Sequence, residues 1–143
     1  MRYPVSRMQF RRKSPGLASV FGALELRVLE ALWRRGEASV RDLCEDFPAA
    51  AYTTLMTTME RLHKKGVLDR RKSGRAFIYR AIHSRLELES GLFTRAIQPL
   101  LSGEGAHPVL SSFVDEVSRH DERLLDELER LVREKRRQQE EQR

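Results

Sequence analysis

The segment from Ala51 to Arg80 limits what this chain can fold into more than any other. Ala51-Tyr52-Thr53-Thr54-Leu55-Met56-Thr57-Thr58-Met59-Glu60-Arg61-Leu62-His63-Lys64-Lys65-Gly66 has helical spacing, and Val67 to Arg80 has the alternation of a hairpin with a basic tip. At 100° per residue, Leu55, Met59 and Leu62 share one helix face, Thr53, Thr57 and Lys64 lie opposite, and Thr54 and Arg61 flank them. One edge packs on a core, and the hydroxyl-and-cation edge suits a DNA major groove. Thr58, about 60° from Leu55, is expected to be partly buried, and Met56 to fill a gap in the core.

The flanking sequence supplies the rest of a domain. Leu24, Val28, Leu29, Leu32 and Trp33 predict a helix over 23–35, with Gly36 as its stop and Gly22 offering no side-chain cap. Ser39-Val40-Arg41-Asp42 matches a capping box, and Val40, Leu43 and Cys44 form the buried edge of a second helix ending near Phe47, before Pro48. In the hairpin, Phe77, Tyr79 and Ala81 alternate with Ile78 and Arg80, and Lys72-Ser73-Gly74-Arg75 forms the turn, with Gly74 tolerating positive φ. Helix, short helix, turn, helix and hairpin is the plan of a winged helix-turn-helix.

After the hairpin the spacing is helical again. Leu86, Leu88, Leu92, Phe93, Ala96, Ile97, Leu100 and Leu101 predict a helix over 84–101, its last turn disturbed by Pro99. A loop over 102–108 leads to a short helix carrying Val109, Leu110, Phe113, Val114 and Val117. Ser118 and Asp121 resemble a second capping box, opening a helix with Leu124, Leu125, Leu128, Leu131 and Val132 on one edge. The charged tail over 133–143 is expected to fray.

So much apolar edge calls for a homodimer, buried through Leu92, Phe93, Ile97, Phe113, Val117, Leu124, Leu128 and Leu131; the alternative is a monomeric bundle folded back on the winged domain. The fold class is therefore mainly α with a small β-hairpin wing, an N-terminal winged helix-turn-helix followed by a C-terminal helical dimerisation region. The expected organisation is a basic flexible arm over 1–18, the DNA-binding domain over 19–83 and the helical region over 84–143.

Charge is divided along the same lines. The 143 residues carry a net +6, but residues 1–103 hold 19 Lys/Arg against 10 Asp/Glu and residues 104–143 hold 8 against 11. A basic first part fits phosphates, and an acidic, leucine-periodic second part fits protein. The arm, with Arg2, Arg7, Arg11, Arg12 and Lys13, either stays disordered or adds phosphate and minor-groove contacts.

Cys44 is the single cysteine, which excludes an intramolecular disulfide and a thiolate metal cluster. There is neither a signal-peptide core nor an apolar run long enough for a bilayer, so a cytoplasmic protein without membrane insertion is expected. His63, His83, His107 and His120 fall in no metal or catalytic motif, and phosphate-binding glycine loops and nucleophile elbows are absent. The chain is expected to be no enzyme and to need no cofactor or metal.

Contacts with DNA divide into two kinds, one for affinity and one for choice of sequence. Tyr52, Lys64, Lys65, Arg70, Lys72 and Arg75 are assigned to the backbone or the wing, and Thr53, Thr54, Thr57 and Arg61 to bases. Two rivals use the same fold, a winged helix that binds protein and a non-specific nucleoid protein. Eight Lys/Arg against two acids between Glu60 and Arg80 favour DNA.

Leu24-Glu25-Leu26 to Trp33, the Tyr52-Thr53-Thr54 helix with Lys65-Gly66 after it, and Gly74-Arg75-Ala76-Phe77-Ile78-Tyr79-Arg80 closely resemble the penicillinase repressor family of winged-helix transcriptional regulators, over roughly residues 20–132. The resemblance implies repression by a homodimer at a dyad-symmetric operator, a link to antibiotic resistance, and relief by a sensor-protease or, in another branch, by copper. The copper branch carries paired cysteines that this chain lacks. In the protease-controlled branch the cut falls between Asn and Phe; the matching pair here is Leu92-Phe93, which keeps the Phe and not the Asn.

Overall fold

The structure is a computed structural model and describes residues 16–143. The five basic residues of the expected arm lie outside that range. The chain divides into two compact units, one running to Phe93 and the other from Thr94 to Arg143.

Among the described residues of the first unit, a 3-10 turn, Leu17–Ser19, comes first. Leu17 and Phe21 are buried in the core, so the core includes part of the stretch assigned to the arm. Helix α1 (Ala23–Arg35) has the expected bounds, buries Val28, Leu29, Ala31 and Leu32, and ends at Gly36 with φ +83°. Next comes β1 (Glu37–Ala38), a two-residue strand too short for any sequence pattern.

Helix α2 (Val40–Asp46) starts with the expected capping box: Asp42 N donates to Ser39 Oγ at 3.1 Å, and Ser39 N donates to Asp42 Oδ2 at 2.8 Å. Hydrogen bonding to the Ser39 backbone N–H and to its side chain holds the Asp42 carboxyl below its ordinary pKa. Helix α3 (Tyr52–Lys64) buries Leu55, Thr58, Met59 and Leu62 against α1, α2 and the sheet.

Strands β2 (Leu68–Ser73) and β3 (Ala76–Ala81) form the hairpin, and β3 lies central in a three-stranded antiparallel sheet of order β1-β3-β2. Lys72 and Ser73 belong to the ladder, paired with Phe77 and Ala76, so the loop is the two residues Gly74 and Arg75. Gly74 has φ +63° and Arg75 does not have positive φ, as a type II′ turn requires. Tyr79 is the strand residue buried most deeply in β3, and Leu68 in β2.

Helix α4 (Arg85–Leu101) begins on the first unit. Trp33 Nε1 donates to the His83 carbonyl at 2.9 Å, Arg85 pairs with Glu30 at 3.0 Å, and Leu88 and Leu92 pack against the core. Pro99 sits inside the last turn without ending the helix before Leu101.

In the second unit, α5 (Ala106–His120) starts three residues before Val109. Pro108 is thereby in its first turn, where the missing N–H has no helical acceptor in any case. Helix α6 (Glu122–Glu141) is capped by Asp121, whose Oδ1 accepts from Arg123 N at 2.9 Å; Ser118 lies within α5, so the expected Ser118–Asp121 box does not form. The tail expected to fray continues the helix to Glu141. Ion pairs of Arg130 with Glu127 and Glu134, and of Arg133 with Glu129, lie along its surface.

No residue of this second unit is buried. Leu100, Leu101, Leu110, Phe113, Val114, Leu124, Leu131 and Val132 are exposed, and Val114, Leu125, Leu128 and Val132 line an open apolar groove between α5 and α6. Among the described residues, no helix is long and apolar enough to cross a membrane.

Candidate nucleic-acid interface

Burial of one edge of α3 decides what the opposite edge presents. Leu55, Met59 and Leu62 are fully buried, while Tyr52, Thr53, Thr54, Thr57, Arg61 and Lys64 are exposed on the far side and flanks. Thr58 is 6% exposed, and its Oγ1 donates to the Thr54 carbonyl at 2.8 Å, so it belongs to the core. Met56 departs from expectation. It is 41% exposed rather than filling a core gap, because it lies about 60° beyond Met59 and about 100° from Leu55, off the buried edge.

The threonines differ in what they can offer. Thr57 Oγ1 donates to the Thr53 carbonyl at 2.9 Å, which commits its only proton and leaves an acceptor and a methyl facing outward. At the start of α3, Ala51 supplies no side-chain cap, so the first backbone N–H groups stand open to an anion such as a phosphate.

The β pleat sorts the cations of the wing. Leu68, Arg70 and Lys72 pair with Ala81, Tyr79 and Phe77, so these six side chains share the sheet face that turns toward the core. Midway along that face the Arg70 guanidinium lies 4.1 Å from the centre of the Phe77 ring and 3.4 Å from Tyr79 Oη. Tyr79 in turn meets His63 of α3 edge-on at 6.5 Å. On the other sheet face Arg71 pairs with Glu37 at 2.9 Å and Arg80 with Asp69 at 3.4 Å.

Lys65, assigned to phosphate, is engaged elsewhere. Its Nζ lies 2.7 Å from Glu25 Oε2 and 5.3 Å from the centre of the Phe21 ring. Burial alone would raise the Glu25 pKa, but the hydrogen bond from Lys65, the Gly22 N–H and the charges of Lys65 and Arg61 together hold it below the ordinary value. By contrast Arg61, Lys64, Lys72 and Arg75 have no carboxylate within ion-pair distance among the described residues, and all four are exposed.

The acids of this unit show the opposite pattern. Glu30 and Glu89 pair with Arg85, Glu37 with Arg71, Glu45 and Asp46 with Arg35, Asp69 with Arg80, and Glu25 with Lys65. Asp42 and Glu87 cap the starts of α2 and α4 through Ser39 N and Ser84 N. Among the described residues that leaves Glu60, on the exposed edge of α3, as the one acid of the unit without such a partner. Its helical angle sets Glu60 between Met56 and Thr53.

No group of three His, Cys, Asp or Glu among the described residues is placed to hold a metal ion. What the surface offers is a helix edge of hydroxyls and free cations beside a hairpin with a basic tip. That is a surface for binding a polyanion.

Comparison with known proteins gives a family match over most of the chain. The family model described as penicillinase repressor matches residues 21–134. The transcriptional regulator BlaI of Mycobacterium tuberculosis, from strain CDC 1551 / Oshkosh and from strain ATCC 25618 / H37Rv, is 36% identical over 100 residues, covering 67% of this chain and 72% of the relative. Among solved structures, the AntR antimony-specific transcriptional repressor is 30% identical and covers 51% of this chain and 68% of its own, with a TM-score of 0.40.

Proposed function

The chain belongs to the penicillinase repressor family and is a DNA-binding transcriptional repressor, not an enzyme, and on that premise we propose that it works as a cytoplasmic homodimer on a dyad-symmetric operator. In each protomer α3 enters the major groove. Thr53, Thr54, Thr57 and Arg61 meet base edges, while Tyr52, Lys64, Arg70, Lys72 and Arg75 meet the backbone on either side. Lys65 serves the fold through Glu25.

The observation that carries this reading is the contrast on α3 and the wing between cations that are paired and cations that are not. Arg71, Arg80 and Lys65 satisfy carboxylates, whereas Arg61, Lys64, Lys72 and Arg75 stand free on the exposed edge and tip. Free cations, like the uncapped start of α3, gain from phosphates, and binding gains further from the counterions these release.

Dimerisation is supported by the second unit, which buries none of its side chains although Phe113, Leu124 and Leu131 are exposed and Ile97, Val117 and Leu128 are only half-buried. A second copy covers that apolar surface. Leu92 packs on the core of the first unit and anchors α4 there.

Release by a sensor-protease at Leu92–Phe93 meets an obstacle in the fold. The bond lies in the middle of α4, so it becomes a substrate only when α4 unwinds locally. Cleavage at this bond therefore requires a signal that first loosens α4.

Titration of duplex DNA across a salt series tests the DNA reading. The logarithm of affinity is expected to fall linearly with the logarithm of salt. Negligible binding at low salt would favour a winged helix used for protein contacts.

A further inference from the structure

We infer that Glu60 is a specificity-determining residue, accepting a hydrogen bond from the N4 amine of a cytosine in each operator half-site. This rests on the placement of α3 in the major groove. Glu60 is exposed, one turn beyond Met56 and Thr57 and one turn before Lys64, at an angle that puts it among Thr53, Thr57 and Lys64. It adjoins Thr53 and Lys64 on the exposed edge, at the border of the residues assigned to bases.

Its isolation is what calls for an explanation. Every other described carboxylate of the DNA-binding unit is paired with a cation or caps a helix. Lys64 stands four residues after Glu60, the favourable order for a helical ion pair, yet the two are not within ion-pair distance. In the complex a carboxylate here is brought between two rows of phosphates and loses water, which costs affinity for any sequence that offers it no donor.

The major groove has only two such donors, the N6 amine of adenine and the N4 amine of cytosine. Adenine sets the N7 acceptor beside its amine, and guanine and thymine present acceptors that repel a carboxylate. Cytosine has a ring C–H beside its amine. A carboxylate at this position therefore selects cytosine and penalises the other three bases.

The test is selection of binding sites from a randomised duplex library by full-length wild-type protein, Glu60→Ala and Glu60→Gln, followed by affinities for the selected and for random duplexes. Wild type is expected to select a cytosine at one position of each half-site and to lose about tenfold when it is replaced. Glu60→Ala loses that preference and binds random duplex more tightly, because a repulsive charge is gone. Glu60→Gln moves the preference toward adenine, which a carboxamide can bond at N6 and N7 together.

The same base frequencies for all three proteins would overturn the assignment of Glu60 and leave the repressor reading standing. Wild type binding DNA without selecting any common sequence would overturn the sequence-reading role of α3 and, with it, this assignment.

Discussion

Lys65 Nζ lies 2.7 Å from Glu25 Oε2, which ties the end of α3 to the first turn of α1 across 40 residues of sequence. Glu25 also accepts from Gly22 N at 3.1 Å, so one carboxylate caps α1 and ties it to the end of α3. A lysine that looks free for phosphate in the sequence is thus part of the frame.

Because the folded state lowers the Glu25 pKa, the stabilisation is complete above the unfolded glutamate value and is lost as pH falls through the folded one. Glu25→Gln is expected to lower stability at pH 7 by about 1 kcal/mol, an amount reduced by the partial exposure of Lys65. Urea melts should show the gap closing when pH is taken from 7 down through the acid range below the ordinary glutamate pKa. A gap of equal size at both ends of that range would refute an ionic contribution.

Thr57 and Thr58 are neighbours with opposite roles. Thr57→Val removes an outward acceptor and should weaken binding to operator by roughly fivefold while leaving random duplex unaffected. Thr58→Val, buried beneath, should change both affinities little. Fluorescence anisotropy with the two duplexes distinguishes them, and a larger loss from Thr58→Val would mean that the face of α3 has been misassigned.

The pleat makes the same kind of distinction on the wing. Lys72→Ala and Arg75→Ala should each weaken operator and random DNA alike and lower the salt slope by about one per protomer. Arg71→Ala, whose partner is Glu37, should leave the slope nearly unchanged. Equal effects from Arg71 and Lys72 would contradict the sorting of cations by sheet face.

What could be read in the sequence was whatever repeats locally. The bounds of α1 and α3 follow from apolar spacing, and Gly36, Ser39 and Gly74 mark ends and turns that the backbone keeps. Strand β1 has two residues and exists only because β3 offers it an edge, so no local signal announces it. Helix α6 runs on to Glu141, past its last apolar positions and past the ion pairs that end at Glu134, so no local pattern marks its end. Pairing across long separations was invisible too, and with it the engagement of Lys65 and the isolation of Glu60.

The apolar surface of α5 and α6 predicts an oligomer that charge can break. Leu128→Asp should convert a dimer into a monomer in sedimentation equilibrium, with helical circular dichroism largely kept. Operator affinity should fall by roughly a hundredfold, since each half-site is then bound alone. A monomeric wild-type protein at micromolar concentration would count against the homodimer.

The most direct measurement is a hydroxyl-radical footprint of the wild-type protein on the DNA upstream of its own gene. A homodimer inserting two α3 helices should protect two symmetric half-sites on one face of the duplex, their centres a whole number of helical turns apart, about 34–36 Å for one turn. A single protected half-site, or even protection along the fragment without dyad symmetry, would contradict the account.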